Sequence, residues 1–292
     1  MADFDVIIIG GGPAGLTAGL YCGRAGLSTL LLEGGAYGGQ MTLTGEIENY
    51  PAFPGGVQGQ ELGELMRAQA EGCGAELRRE KAKTIVLTDK TVTTRKGEYS
   101  AENIILAMGA SPRPLGAKGE NEYRGAGVSY CAVCDGGFFK GRTVAVIGGG
   151  DTAVHDCEYL SRICEKVYLI HRRDRLRGGD AAVERVTKPN VEFLWNTNVT
   201  EFVGENGALT GLVLSDGRTL PVAAAFVAVG TVPNTALVEG QLELDEGYIP
   251  TNEKMETEIP GVYAVGDIRK KPLRQIVTAA SDGAVAASAI GE

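Results

Sequence analysis

The amino-acid sequence predicts an α/β fold in two related halves, and three observations carry that prediction. The segment DVIIIGGGPAG at 5–15 returns 138 residues later as TVAVIGGGDTA at 143–153. The segment ENIILAMGASPRP at 102–114 returns as AAAFVAVGTVPNT at 223–235. Glycine is abundant, at 43 of 292 residues, where an average share of about 7% gives roughly 20. Many close backbone approaches are therefore expected. No Gly-X-Y period runs through the chain, which excludes a collagen-like helix. The length suits about two domains of roughly 100–200 residues each.

Each copy of the first repeat reads as a βαβ unit. In the first, a Val/Ile-rich run enters three glycines, and LTAGLYCGRAGLSTLLLE continues as helix, turn and strand. In the second, VHDCEYLSRICEKVYLIHRR continues in the same way. Glu33 lies 23 residues after Gly10, and His171 lies 23 after Gly148. Two βαβ units with matched spacing are far harder to obtain by chance than one. The second repeat adds to each half an apolar strand ending in a glycine turn, at Gly109 and Gly230. KTIVL, TVTTR, VEFLW, LTGLVLS and AAFVAV read as strands of hairpins or small meanders against a main sheet. GVYAVGD at 261–267 is a last strand, and RQIVTAASDGAVAASAI is a helix of small residues. Short turns around 110–118 and 231–245 are the expected crossovers.

Composition removes several classes of function. Lys and Arg total 28 and Asp and Glu 37, a formal charge of −9, whereas a nucleic-acid binder carries a basic face. No apolar run approaches the ~18 residues of a membrane span. The start, MADFDVIIIGGG, reads as a strand entering a turn and not as a signal peptide. The expectation is a soluble cytoplasmic protein with neither nucleic-acid nor membrane partner. Cys22, Cys73, Cys157 and Cys164 are scattered singly and are expected as small buried hydrophobes. Cys131 and Cys134 form the one close pair.

Gly10-x-Gly12-x-x-Gly15 follows a strand and opens a helix. Gly10 permits the tight turn, Gly12 lets a pyrophosphate approach the backbone, and Gly15 lets helix pack closely on strand. The helix N-terminus offers free N–H groups to the phosphate. Glu33 closes the next strand, where it can accept from ribose hydroxyls and would repel a 2′-phosphate. The site thus suits NAD or FAD. Gln40, Thr42 and Asn49, in GGQMTLTGEIENYP at 38–51, supply polar groups where a flavin ring can lie. Asp267 after the last strand suits a ribityl or phosphate contact. In the second unit the acid is replaced by His171-Arg172-Arg173, with Arg177 one turn later. Cations at the ribose edge point to a 2′-phosphate and hence NADPH; the alternatives are a solvated basic run or a nucleic-acid patch.

The C-x-x-C of SYCAVCDGGFF has two readings. Structural zinc usually needs four ligands, and the only histidines, His155 and His171, lie within the second nucleotide unit. A redox dithiol needs only the pair, whose geometry closes a small ring and often lowers one thiol pKa. Asp135 follows directly and can exchange a proton with a departing thiolate. Tyr130, Phe138 and Phe139 either flank a flavin or fill a core.

Taken together, GGGPAG, GGQM, IENYP, CAVCDG, VIGGGDTA, HRRDRLR, GVYAVGD and RQIVTAA, in this order over nearly the whole chain, resemble the low-molecular-weight thioredoxin reductases. The resemblance implies two Rossmann-like, three-layer ββα domains. A discontinuous FAD domain at 1–113 and 239–292 would be interrupted by an NADPH domain at 114–238 that carries the C-x-x-C. It implies FAD held by Gly10, Gly12, Pro13, Ala14, Gly15, Glu33, Gly39, Gln40, Asn49, Gly109, Gly266, Asp267, Arg274, Gln275 and Ile276. It implies NADPH held by Gly148, Gly150, Asp151, Thr152, Ala153, His171, Arg172, Arg173 and Arg177. Cys134 would face the flavin, Cys131 would attack the disulfide of thioredoxin or a thioredoxin-like protein, and Asp135 would handle the proton. A homodimer and a swing between domains are implied as well. His155 and Asp156 depart from the paired glutamates often found in the family. Rival readings are a reductase using NADH or ferredoxin, a flavin-dependent NADP oxidoreductase without need of the C-x-x-C, and a flavin-binding redox sensor. A peroxide-linked reductase usually carries an extra N-terminal thioredoxin-like region, and this chain starts at the FAD strand.

Overall fold

The computed structural model describes residues 2–43 and 46–291; Thr44 and Gly45 of the segment at 38–51 fall outside them. The chain divides into two compact units, Met1–Ser111 with Val232–Glu292, and Pro112–Thr231. The return crossing lies at Val232, ahead of the expected Glu239. Burial is the reason. Val238 is wholly enclosed in the first unit's core with Ile85, Leu87 and Ile249, and Leu237 packs on the same cluster.

The first unit opens with β1 (Phe4–Ile9), α1 (Pro13–Arg24) and β2 (Thr29–Leu32). A hairpin of β3 (Glu46–Ile47) and β4 (Val57–Gln58) leads to α2 (Gly59–Gly72) and β5 (Glu76–Arg78). An antiparallel meander follows, formed by β6 (Thr84–Val86), β7 (Thr91–Thr93) and β8 (Glu98–Leu106). β9 (Ala110–Pro112) stands at the outward crossing and β18 (Thr231–Pro233) at the return. β19 (Val262–Ala264) and α6 (Ile276–Gly291) complete the unit.

The sheet runs β5-β2-β1-β8-β7-β6, with β19 also paired to β8. β8 is long enough to serve three partners: Ala101–Leu106 pairs in parallel with β1, Ile104–Leu106 with β19, and its first residues pair with β7. Side chains alternate across a strand, and β1 shows it. Val6 and Ile8 enter a cluster with Leu16, Ala18 and Ala286 of α1 and α6. Ile7 and Ile9 enter the opposite cluster with Ile85 and Val92 of the meander. A strand buried on both faces must be continuously apolar, which is why the buried stretch Val6–Ile9 carries no polar residue, while Asp5 sits where the strand is only partly buried. The small residues of α6 have an equally direct cause: a Cβ at Gly283 would stand 2.1 Å from the Ala14 carbonyl oxygen.

The second unit repeats the plan. Its elements are β10 (Val128–Ser129), α3 (Ala132–Asp135), β11 (Thr143–Gly148), α4 (Asp151–Ser161), β12 (Lys166–Ile170), α5 (Gly179–Val186) and β13 (Val191–Leu194). β14 (Val199–Glu205), β15 (Ala208–Leu214) and β16 (Thr219–Pro221) form an antiparallel meander before β17 (Ala224–Ala228). The main sheet has the order β10-β17-β11-β12-β13, and every pairing in it is parallel. VEFLW and AAFVAV therefore join the main sheet, whereas the sequence pattern suggested hairpin strands. VEFLW follows α5 and AAFVAV follows the meander, so each re-enters from the same end as its neighbours. Val144 and Val146 pack with α4, while Ala145 and Ile147 pack with Leu209 and Leu212 of the meander. Each unit is thus a parallel sheet with helices on one face and a meander on the other, the expected ββα layering.

Candidate functional site

In an open parallel sheet, ligands bind beyond the carboxyl ends of the strands. In the first unit that edge carries the first glycine turn. A Cβ at Gly10 would lie 2.4 Å from the Ala107 carbonyl oxygen, and one at Gly15 would lie 1.9 Å from that of Gly10. Gly12, the residue before α1, is different: its nearest neighbour would be 4.0 Å away. The first and third glycines are demanded by the protein itself, and the second leaves open space at a helix N-terminus. Pro13 and Ala14 open that helix, where the missing proline N–H costs nothing. Glu33 accepts hydrogen bonds from Gly11 N–H and Gly35 N–H, both at 2.6 Å. It borders a cleft of about 350 Å³ lined also by Gly10, Lys81 and Met108.

The segment at 38–42 folds against the cradle. Gly38 N–H donates to the Gly11 carbonyl at 2.7 Å, a Cβ on Gly39 would meet Gly12 Cα at 3.0 Å, and the Gln40 amide donates to the Ala110 carbonyl. Thr42 donates to the Gly39 carbonyl at 2.8 Å. Asn49 donates to Gln275 at 3.0 Å, which joins two expected site residues far apart in sequence. Arg274, Gln275 and Ile276 stand at the start of α6, and Gly109 (φ 66°) follows β8 in the left-handed region.

The Gly266–Asp267 turn lies on the start of α1, because a Cβ at Gly266 would meet Ala14 Cβ at 2.9 Å. Sequence reading missed what holds this turn. Asp282 of α6, 6% exposed, accepts from Gly266 N–H at 2.9 Å, Lys271 at 2.8 Å and Arg269 at 3.0 Å. The Lys271 side chain is only 5% exposed. Buried charges persist only when paired and hydrogen-bonded, and no short-range motif marks such a trio. Burial raises the Asp267 carboxyl above the ordinary range, against the opposing pull of Lys271 and Arg274. Asp267 Oδ1 and Arg274 Nε are buried without a hydrogen-bond partner, an arrangement that calls for a polar ligand.

The second unit gathers three features on one sheet edge, since its strands are parallel. After β11, a Cβ at Gly148 would stand 2.3 Å from the Ala228 carbonyl oxygen, while Gly150 has open space. Asp151 and Thr152 begin α4 exposed, and Ala153 is fully buried. After β12, the His171 ring occupies the place a Gly149 side chain would fill, 2.2 Å from that Cβ, and lies edge-on to Trp195 at 6.4 Å. Burial lowers the His171 pKa, and the charges of Arg173 and Arg172 lower it further. Arg172, Arg173 and Arg177 are exposed, and Arg177 N–H donates to the Gly149 carbonyl at 2.8 Å. That bond ties the basic segment to the cradle. Asp156, at a departure from the family pattern, is pushed up to about 7 by burial.

After β10 comes the cysteine pair, Cys131 preceding α3 and Cys134 within it. The sulfurs are bonded to each other, with Cα atoms 5.3 Å apart, which selects the redox reading. Cys134 N–H points at Cys131 Sγ at 3.3 Å. Asp135 is raised by burial and partly lowered by a hydrogen bond from Ser129. Phe139 packs edge-on to Phe226 at 6.0 Å in the unit's own core, Phe138 is 52% exposed, and the Tyr130 hydroxyl donates to buried Glu120 at 2.7 Å. Cys22, Cys157 and Cys164 are buried, but Cys73 is only half-buried because it caps α2 at a turn.

Two dinucleotide cradles and a redox disulfide define a pyridine-nucleotide-dependent oxidoreductase. The chain belongs to the pyridine nucleotide-disulphide oxidoreductase family, which it matches over residues 4–283. It is similar to the thioredoxin reductase of Listeria monocytogenes, with 49% identity covering 97% of this chain and 91% of that one. Among solved structures it resembles thioredoxin reductase from Streptococcus pyogenes, with TM-score 0.89, 39% identity and coverage of 98% and 96%. It also resembles that of Giardia duodenalis, with TM-score 0.90, 38% identity and coverage of 98% and 97%. Membership implies a flavin and a pyridine nucleotide. The open Gly12 cradle and the unpartnered Asp267 and Arg274 atoms fit the first, and the Gly150 cradle fits the second.

The two open glycines differ from the crowded ones in what they tolerate. Gly12→Ala is expected to fold with a wild-type melting temperature yet bind flavin at least tenfold more weakly, whereas Gly15→Ala should lower the melting temperature even without flavin. Thermal unfolding of the flavin-free proteins and flavin titration separate the two effects.

Proposed function

We propose that this protein is an NADPH-dependent thioredoxin-disulfide reductase that uses FAD and the Cys131–Cys134 disulfide. The observation that carries the reading is the bonded cysteine pair, beside a buried carboxyl and on the same sheet edge as the second cradle. FAD, when bound, accepts hydride from NADPH and passes two electrons to the disulfide. Gly12, Glu33, Asn49, Asp267, Arg274 and Gln275 hold it in the first unit. In the second, Gly150 and the α4 N-terminus receive the pyrophosphate of NADPH, while Arg172, Arg173 and Arg177 grip its 2′-phosphate. The neutral His171 fills the floor of that clamp.

Cys134 receives the electrons. Cys131 then attacks the disulfide of thioredoxin or a thioredoxin-like protein, and exchange through a mixed disulfide returns the pair to its oxidised form. Asp135 supplies a proton to the departing thiolate; desolvation keeps it protonated to higher pH than an exposed carboxyl. In the first unit an apolar groove of about 410 Å³ is lined by Leu16, Leu20, Tyr21, Leu65, Met66 and Val277, with Leu65 49% exposed. We assign it to a second copy of the chain.

Cys134→Ser should keep flavin bleaching by NADPH under anaerobic conditions and lose thioredoxin reduction. Wild-type turnover in that variant would refute the relay. Neutral replacement of Arg172 and Arg173 should weaken NADPH far more than NADH, each lost contact costing about 1.5–3 kcal/mol. An equal loss for both coenzymes rejects the 2′-phosphate clamp. Light scattering should give a dimer for the wild type and a monomer for Leu65→Glu; an unchanged mass for the variant discards the groove as the contact.

A further inference from the structure

Ser129, the last residue of β10, has no part in the mechanism so far. It is 6% exposed. Its oxygen accepts the Cys131 N–H at 3.1 Å, and its hydroxyl donates to Asp135 Oδ2 at 2.6 Å. The Cys131 carbonyl, at 3.3 Å, is the weaker competitor for the single hydroxyl proton. One side chain therefore joins the acid to the backbone of the cysteine that must become a nucleophile. Such a link fixes position through β10, which is itself held in the parallel sheet by β17.

We propose that Ser129 is a positioning residue for disulfide reduction, holding the Asp135 carboxyl in register with Cys131 and stabilising the carboxylate left when Asp135 gives up its proton. The proposal rests on the reductase reading above. In the step it serves, one S–S bond breaks and two S–H bonds form. Two electrons and one proton derive from the hydride of NADPH; the second proton passes through Asp135 and is replaced from water. The Ser129 proton is not transferred. It remains on the hydroxyl and donates a charge-assisted hydrogen bond to the new carboxylate.

The surroundings leave this bond as the main polar influence on Asp135. α4, which packs against α3, carries His155, Asp156, Cys157, Glu158 and Tyr159, and Tyr130 and Lys140 flank the segment. None of them shifts Asp135, which is raised by burial and lowered by Ser129 alone. Removing the hydroxyl therefore moves the acid upward, and the alkaline fall in reduction rate should move to higher pH with it.

The test uses the oxidised holoenzyme labelled with carboxyl-13C aspartate, the Asp135 resonance being identified by its loss in Asp135→Asn. In Ser129→Ala the titration midpoint of that resonance should rise by about one to two pH units, the equivalent of a lost hydrogen bond to a charged group. The alkaline limb of NADPH-driven thioredoxin reduction should shift by the same amount, and Ser129→Thr should restore both. A resonance that titrates at the same pH in Ser129→Ala overturns the role of Ser129 and leaves that of Asp135 standing. A rate profile unchanged by Asp135→Asn overturns both, because the carboxyl being positioned would not be the proton donor.

Discussion

The architecture depends on one close approach, made twice. At Gly10 and again at Gly148, the turn from strand to helix is pressed against the carbonyl at the end of the neighbouring strand, at Ala107 and Ala228, with no room for a Cβ. That contact seats α1 and α4 so that their first N–H groups face the sheet edge. A side chain at either position would lift the helix from its strand and tilt the N–H groups away from a phosphate. The open glycines, Gly12 and Gly150, have meaning only because the crowded ones fix the frame around them.

The two cradles then diverge through what closes the next strand. Glu33 is held by two backbone N–H groups, so its charge is anchored beside the first cradle. In the second, exposed Arg172, Arg173 and Arg177 follow an imidazole whose pKa is lowered by burial and by the charges of Arg173 and Arg172. One scaffold thereby carries an acid beside one cradle and a basic cluster beside the other. The cysteine pair adds redox chemistry on the second unit's edge. Its acid is tuned mainly by desolvation, the cheapest way to keep a carboxyl protonated without a second charge nearby. The first unit uses the opposite device, a buried carboxylate at Asp282 satisfied by two cations and a backbone N–H.

Much of this was legible in the sequence because the relevant signals are local. A continuous apolar strand, a glycine turn and the residue 23 positions on form a short-range pattern, and its recurrence at a fixed offset exposes the repeated fold. The CAVCD segment is equally local. The strands at 191–194 and 224–228 were harder to place, since a short apolar run does not state whether its partner is parallel or antiparallel. The return crossing was misplaced for a similar reason: Val238 looks like a residue of a turn until the core that encloses it exists.

The sequence by itself determined the two nucleotide folds, the acid and the basic cluster that distinguish them, and the cysteine pair. Each follows from residue type at a fixed short spacing, where backbone geometry leaves little choice. Only the tertiary structure decided that Asn49 meets Gln275, that Asp282 accepts from Gly266 N–H, Lys271 and Arg269 together, and that Ser129 reaches both Cys131 and Asp135. The first joins segments far apart in the chain, the second depends on how α6 packs back on the turn that precedes it, and the third on how a strand end meets the turn after it. Packing sets such meetings, and a polar residue's partner is fixed by where burial forces it to find one.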